Sequence, residues 1–294
     1  MIATNILYGQ GMGNQLFCYV TTRCIALDNN YDFSINNDQK ALGDPRFNSK
    51  GVYWMDLDMG VPFDKSIKNI YEEKSLRIKI PLNHHDSTIG CDIRGTDWDL
   101  VKIPDNTIIM GSMQSEDYFL HRKKEIKNWL KIKPEHDTYE YTKENLCVIN
   151  FRGGEYVGTP AFLGKKYWQD AIKNMRTIKP DMEFIVITDD VHSAKRIFPE
   201  FPCYHFDVGK DYVIIKNAKH VILSNSTFAF FPVWTSDTIE NVIAPKYWAR
   251  HENSDGYWAT GQNLYRDWLW QNREGKLQTY SECLEELKNY FLER

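Results

Sequence analysis

The sequence predicts an α/β protein built on parallel sheets of the doubly wound kind. Two observations carry this. Across residues 146–245 short apolar runs alternate with helical stretches, the pattern of strands joined by crossover helices. At the N-terminus a strand runs into a glycine-rich turn and then a helix, the opening unit of the same architecture. A chain of 294 residues accommodates two such domains, or one large one, with ample core.

The elements follow in order. Ile2–Tyr8 reads as the first strand. Gly9-Gln10-Gly11-Met12-Gly13-Asn14-Gln15 is a turn, and in the helix after it Leu16, Phe17, Val20, Cys24 and Leu27 recur at three-to-four spacing to make one apolar face. A helix start offers free N–H groups and a positive dipole end, so this unit suits a phosphate or nucleotide. No Gly-Lys-Ser/Thr follows, so it is not a P-loop. Asn14 taken alone also reads as a helix N-cap. Asp32–Ile35 is a second strand. Residues 40–106, with many Asp, Asn, Gly and Pro, are expected to form loops and short helices. Thr107–Gly111 is a short strand, and Gln114-Ser115-Glu116-Asp117-Tyr118-Phe119 leads into a helix reaching about Leu130. The polar stretch 131–145, which contains Pro134, is the expected boundary between two halves.

The second half opens with the apolar run Leu146–Ile149, a strand of the buried kind. It ends abruptly in Asn150-Phe151-Arg152-Gly153-Gly154-Glu155. The glycines let the backbone turn sharply, and Arg152 falls at the carboxyl end of the strand, where open α/β sheets place ligands. Its guanidinium fork suits phosphate; a surface arginine paired with Glu155 is the plainer alternative. Lys165–Met175 is a helix, Glu183–Thr188 a strand ending in Asp189-Asp190, and Val191–Ile197 a short helix. Another helix begins in Val213–Asn217. Val221–Leu223 is a strand ending in Ser224-Asn225-Ser226-Thr227, Phe228–Trp234 starts a helix, and Asn241–Ala244 is a last strand closed by Pro245. The capping-box pattern Thr279-x-x-Glu282 opens a terminal helix with Leu284, Leu287 and Phe291 on its apolar face. The expected organisation is therefore an N-terminal domain over 1–133, a linker over 134–145, a second domain over 146–246 and an extension over 247–294.

Bulk composition bounds the function. Hydrophobic residues at 42% and charged residues at 26% are ordinary for a soluble globular protein. A net charge of -4 and the lack of a basic, aromatic-laced patch argue against nucleic acid as a partner. The six cysteines are scattered, with no metal-ligand spacing, and Cys18, Cys24 and Cys147 lie in apolar contexts that suit a reducing compartment. Neither a signal peptide nor an apolar run of about 18 residues is visible. The expected location is the cytoplasm, with peripheral contact at a membrane surface left open. Asp56-Leu57-Asp58 has the letters of a metal-binding DxD but lies in the irregular region and reads as surface.

Three strand ends of the second half carry useful polar groups: Arg152, Asp189-Asp190 and Ser226-Thr227. A sugar nucleotide needs these chemistries. A cation neutralises the diphosphate, hydroxyls and N–H groups hold phosphate oxygens, and a carboxylate accepts from base or ribose. Asp189, Asp190, Ser226 and Thr227 read equally as helix caps when each is taken alone.

Five stretches resemble the bacterial α-1,2-fucosyltransferases of glycosyltransferase family 11. Gly11-Met12-Gly13-Asn14-Gln15-Leu16-Phe17 is similar to the family's GLGNQMF, and Gln114–Phe119 to its QSExYF. Asn150–Tyr156 falls where the family has HxRRGDY. Ile187-Thr188-Asp189-Asp190 resembles its TDD. Ser224-Asn225-Ser226-Thr227-Phe228, with Trp234 and Val242-Ile243-Ala244-Pro245-Lys246, resembles ANSSFSWWGAW and VIAPxxW. The order holds over nearly the whole chain, and more distantly it is similar to protein O-fucosyltransferases and α-1,6-fucosyltransferases. The resemblance implies a GT-B fold, two Rossmann-like domains facing across a cleft. It implies an inverting transferase that uses GDP-fucose, or another sugar nucleotide, on a glycan acceptor, with no metal and no cofactor. By the same resemblance Arg152 contacts the diphosphate, Asp189 the nucleoside, and Ser226 and Thr227 the phosphates. Gly11, Gly13 and Asn14 face the donor from the first domain.

The chain departs from that pattern in one stretch. Asn150 stands where the family has histidine, Gly153 where it has a second arginine, and Glu155 where it has aspartate. Arg152, Asn14 and Glu155 are the candidates for catalysis, Glu155 being either a base or the partner that holds Arg152. Lys165 and Lys166 are candidates for the missing charge. A different donor sugar, or a relative that binds without catalysis, stays open.

Overall fold

The computed structural model describes residues 1–7, 10–37, 52–74, 76–82, 85–93, 95–248, 251–252 and 263–292. The first half contains β1 (Ile2–Asn5), α1 (Met12–Asp28), β2 (Phe33–Asn36), β3 (Asn69–Glu72), β4 (Leu76–Leu82), β5 (His85–Ile93), β6 (Thr107–Met110) and α2 (Lys123–Trp129). Strands β2-β1-β6-β3 form one wholly parallel sheet. Strands β4 and β5 pair as a separate antiparallel hairpin.

Region 40–106 is thus not all loop and short helix. β3 is an edge strand whose Ile70 is exposed, so it buries no apolar run that a sequence pattern would reveal. In β4, Leu76, Ile78 and Ile80 alternate with Arg77 and Lys79, a strand period that Pro81 obscures. The stretch 114–130 also differs from the single helix expected. Two 3₁₀ turns, Glu116–Tyr118 and Leu120–Arg122, precede α2, and Ser115 caps the first of them.

The second half contains β7 (Leu146–Phe151), α3 (Lys165–Ile178), β8 (Glu183–Thr188), α4 (Val191–Ile197), β9 (Cys203–Tyr204), α5 (Val208–Lys216), β10 (His220–Leu223), α6 (Phe230–Trp234), β11 (Asn241–Pro245), β12 (Leu269–Gln271), β13 (Leu277–Gln278) and α7 (Tyr280–Leu292). Its sheet runs β13-β12-β11-β10-β7-β8-β9 and is parallel except for the last hairpin, β12–β13. Strands β12 and β13 come from residues beyond 246, so the tail extends this sheet. Helix α7 opens on the expected capping box: the Glu282 carboxylate accepts from the Thr279 N–H at 2.7 Å, and the Glu282 N–H donates to the Thr279 hydroxyl at 3.3 Å.

Both faces of this sheet are covered, which explains the unbroken apolar runs. In β7, Cys147, Ile149 and Phe151 pack against Tyr167, Trp168 and Met175 of α3 on one face. Leu146 and Val148 pack on the other, with Val221 and Leu223 of β10 and with α5. That second face is continuous with the core around α1 and β1. Helix α1 therefore has no single apolar face. Thirteen of its residues are buried, from Met12 to Ala26, whereas Leu27, expected on the apolar face, is exposed. Two parallel, Rossmann-like sheets flank one cleft, the GT-B-like arrangement that the resemblance implied.

Candidate active site

The cleft lies between the start of α1 and the carboxyl ends of the second sheet, with a volume of about 440 Å³. It is lined by eight of the residues singled out from the sequence: Gly11, Gly13 and Asn14 from the first half, and Arg152, Glu155, Asp189, Ser226 and Thr227 from the second. Strand order explains the convergence. β10, β7 and β8 are neighbours, so the residues that follow them share one edge.

Gly11, not Asn14, caps α1, and it does so without a side-chain bond. Asn14 sits in the first helical turn, which excludes the plain N-cap reading for it. Gly13 is one of the places where the two halves touch. A Cβ there would stand 2.3 Å from the carbonyl carbon and oxygen of Thr227.

Arg152 emerges from the end of β7 and reaches two carboxylates. Its Nη2 meets Glu155 Oε1 at 2.6 Å and its Nη1 meets Asp189 Oδ2 at 2.6 Å. Asp189 Oδ1 accepts the Gly153 N–H at 2.9 Å. The Tyr156 ring centroid lies 5.4 Å from the guanidinium. Gly154 adopts φ +38, and a Cβ on it would come 2.4 Å from Asp189 Oδ2, so the turn needs glycine for both backbone and space. Partial burial opposes ionisation of Glu155, but the Arg152 hydrogen bond and charge outweigh it and hold that carboxyl below its ordinary range. The geometry makes Glu155 a partner of Arg152.

The other candidates divide. Asp190 turns away to cap α4, accepting the Ser193 N–H at 3.0 Å, and hydrogen bonding from the Ser193 side chain and backbone holds its carboxyl low. Ser226 caps a 3₁₀ turn, Thr227–Ala229, that leads into α6. The helix expected over Phe228–Trp234 is therefore five residues of α-helix, too short for a full dipole, and Thr227 lines the cleft. Asn150 is buried, its Oδ1 accepting from the Ser224 hydroxyl at 3.1 Å across β7 and β10. Lys166 pairs with Asp170 on α3, and neither it nor Lys165 lines the cleft. Asp56 and Asp58 face Lys133 and Arg23, at 2.7 Å and 3.2 Å.

Sequence reasoning missed His205 and Asp211, which also line the cleft. His205 follows β9, the strand beside β8, and its Nδ1 lies 2.6 Å from Asp211 Oδ2 on α5. Asp211 Oδ1 accepts the Phe206 N–H at 3.2 Å. Burial pushes the Asp211 carboxyl up to about 6, against the His205 hydrogen bond, which lowers it. With Nδ1 turned to the carboxylate, Nε2 is the atom left for a ligand. β9 has only two residues, so no apolar run announced the strand that delivers His205.

The QSExYF-like stretch fastens the fold. Glu116 is buried, accepting from the Trp234 indole at 3.0 Å and from the Arg266 backbone N–H at 2.7 Å, and Arg266 Nη2 reaches Asp117 at 2.7 Å. These bonds tie the first half to α6 and to the tail.

No protein-family model matches the chain. Two curated proteins of Escherichia coli are similar in sequence. An alpha-1,2-colitosyltransferase is 25% identical over 168 residues, covering 50% of this chain and 58% of that protein. The O-antigen biosynthesis glycosyltransferase WbnK is 25% identical over 124 residues, covering 37% and 41%. The chain thus matches only about half the length of these relatives. Among solved structures, the alpha-1,6-fucosyltransferase NodZ soaked with GDP-fucose superposes with a TM-score of 0.45 at 12% identity, over 83% of this chain and 94% of that one. Among the described residues no helix is long and apolar enough to cross a membrane, and no group of three His, Cys, Asp or Glu side chains gathers to hold a metal.

Proposed function

We propose that the protein is an inverting glycosyltransferase that moves fucose from GDP-fucose to a hydroxyl of a glycan acceptor, in the manner of the α-1,2-fucosyltransferases. The observation that carries this reading is the convergence of glycine turn, arginine, carboxylates and hydroxyls from separate segments on one cleft. Similarity to two glycosyltransferases over part of the chain supports it. The acceptor oxygen attacks the anomeric carbon, the bond to the diphosphate breaks, and the acceptor proton leaves with solvent or a base. Arg152, Thr227 and the N–H groups at the start of α1 stabilise the charge that grows on the departing diphosphate. Glu155 is 72% exposed, so its ion pair is weak and gives way when the diphosphate arrives. Asp189, bonded to both Arg152 and Gly153, keeps the guanidinium in place. The nucleoside then lies toward the β9 edge, within reach of Asp189 and His205.

A different donor sugar is the second reading. Gly153 stands in place of a second arginine, and one relative is named for colitose transfer. Thermal unfolding with nucleotides tests the nucleotide that the fucosyl reading requires. GDP at about a hundredfold over its Kd is expected to raise Tm by roughly 5 °C, because a ligand that binds only the folded state stabilises it by about 2.7 kcal/mol. UDP and dTDP should do less. A shift with UDP or dTDP and none with GDP would overturn the fucosyl reading, and binding of GDP-fucose without acceptor-dependent GDP release would identify a non-catalytic relative.

Charge neutralisation by Arg152 and backbone donors makes a divalent cation unnecessary in this reading. GDP release is expected to persist in excess EDTA. Loss of turnover restored by Mg²⁺ or Mn²⁺ would reject this donor-site chemistry.

A further inference from the structure

Three amide-bearing side chains from distant parts of the chain form a line that ends at the cleft. Asn263 Nδ2, in the tail, donates to Gln114 Oε1 at 2.8 Å. Gln114 Nε2 donates to Asn14 Oδ1 at 2.9 Å. At the far end Asn263 Nδ2 also donates to the Tyr265 hydroxyl at 3.1 Å. Asn263 and Tyr265 are buried. Gln114 and Asn14 turn their oxygens toward the tail, and Gln114 turns its nitrogen toward the cleft. Asn14, whose carbonyl is taken by Gln114, is left with its NH₂ group for the cleft that it lines.

An asparagine side chain can present either an acceptor or a donor by a half-turn of its amide, and the two are nearly equal in shape. A site for an anionic diphosphate or a sugar ring oxygen needs the donor. We propose that Gln114 and Asn263 are positioning residues that fix the Asn14 amide with its NH₂ group toward the donor substrate. This inference rests on the glycosyltransferase reading for its substrate, but the polarity of the line belongs to the protein alone. It gives Gln114, in the QSExYF-like stretch, a task different from that of its neighbour Glu116. It also gives the tail a task in the cleft, since Asn263 lies 149 residues from Gln114 and reaches it only through the fold.

Gln114→Glu tests the polarity with one atom changed. The new carboxylate still accepts from Asn263, but it offers an oxygen where Gln114 offered an N–H, so Asn14 must turn its NH₂ inward and its oxygen to the cleft. With GDP-fucose as donor, kcat/KM is expected to fall about ten- to a hundredfold, with kcat carrying most of the loss and Tm moving only a few degrees. Asn263→Ala, which frees the line without reversing it, should cost less, about three- to tenfold. In an Asn14→Ala background Gln114→Glu should cost less than about twofold, because the group through which it acts is gone. Undiminished turnover in folded Gln114→Glu, or full additivity with Asn14→Ala, overturns the proposal. Amide hydrogen exchange followed by NMR reads the line without a donor. The Asn14 side-chain NH₂ should exchange rapidly in the wild type and become protected in Gln114→Glu, and protection already present in the wild type overturns the proposal. If the wild type neither binds nor consumes GDP-fucose, the functional reading falls, and the exchange measurement still decides the polarity.

Discussion

Arg152→Ala is expected to lower kcat/KM by roughly a hundred- to thousandfold, about 3–4 kcal/mol of transition-state stabilisation, by analogy with removal of one oxyanion donor. The loss should fall on kcat as well as KM, because a leaving diphosphate gains charge as the bond breaks and its contact with the guanidinium strengthens. Among the described cleft-lining residues Arg152 is the only Arg or Lys, and Gly153 leaves it no neighbour in its own turn to share the task. Folding should change little. The Arg152 side chain is 28% exposed, and its partners Glu155 and Asp189 keep solvent or the Gly153 N–H when it is removed. The stability loss should therefore stay near about 1 kcal/mol, as for partly solvated ion pairs. Arg152→Lys should recover only part of the activity, since an ammonium keeps the charge and loses the two-pronged geometry that spans Glu155 and Asp189. Steady-state kinetics and melting curves for both variants, with Lys165→Ala as a control outside the cleft, decide the matter. Near-normal turnover in a folded Arg152→Ala protein would mean that the diphosphate is held elsewhere.

Gly13→Ala should damage both stability and activity. Its Cβ would lie 2.3 Å from the Thr227 carbonyl and 2.5 Å from the Phe228 nitrogen, both backbone atoms. Ordinary carbon contacts begin near 3.5 Å, so the helix and the 3₁₀ turn must separate by about 1 Å. No side chain can rotate away to relieve this. Helix propensity favours alanine by up to about 1 kcal/mol, whereas overpacking of this kind costs about 1–3 kcal/mol and occasionally more; the clash wins. Separation of the two halves also spreads the cleft walls, and a displacement of about 1 Å at a reacting centre can cost on the order of a hundredfold in rate. The expected result is a Tm lower by several degrees with kcat reduced well beyond the change in folded fraction. Gly11→Ala is the stability control, because a Cβ there meets nothing within 4 Å and φ -63 suits any residue. Equal melting temperatures for the two variants would show that the contact at Gly13 relaxes at no cost.

Much of this fold was legible because its sheets are parallel and buried. Leu146–Ile149, Glu183–Thr188 and Val221–Leu223 read as apolar runs because both of their faces are covered, and α3 carries one apolar side, made by Tyr167, Trp168, Ala171 and Met175. What escaped was short, edge-placed or one-sided. β3 is an exposed edge strand, β9 and β13 have two residues each, and neither kind buries enough to leave a pattern.

The residue types of the cleft and their order can be read along the chain: glycines before a helix, one arginine after a buried strand, carboxylates after the next, hydroxyls after a third. Those types follow from local chemistry, since turns need glycine and strand ends present their next side chains to solvent. The tertiary structure alone decided their states. It paired Arg152 with Glu155 and Asp189, turned Asp190 away to a helix cap, and brought in His205 with Asp211 from a two-residue strand. It also joined Asn263 to Gln114 and Asn14, and pressed Gly13 against Thr227. Partners separated by a hundred residues or more leave no periodicity in a chain. Their pairing is set by which strands are neighbours and by how closely two backbones approach, and only the packed fold fixes either.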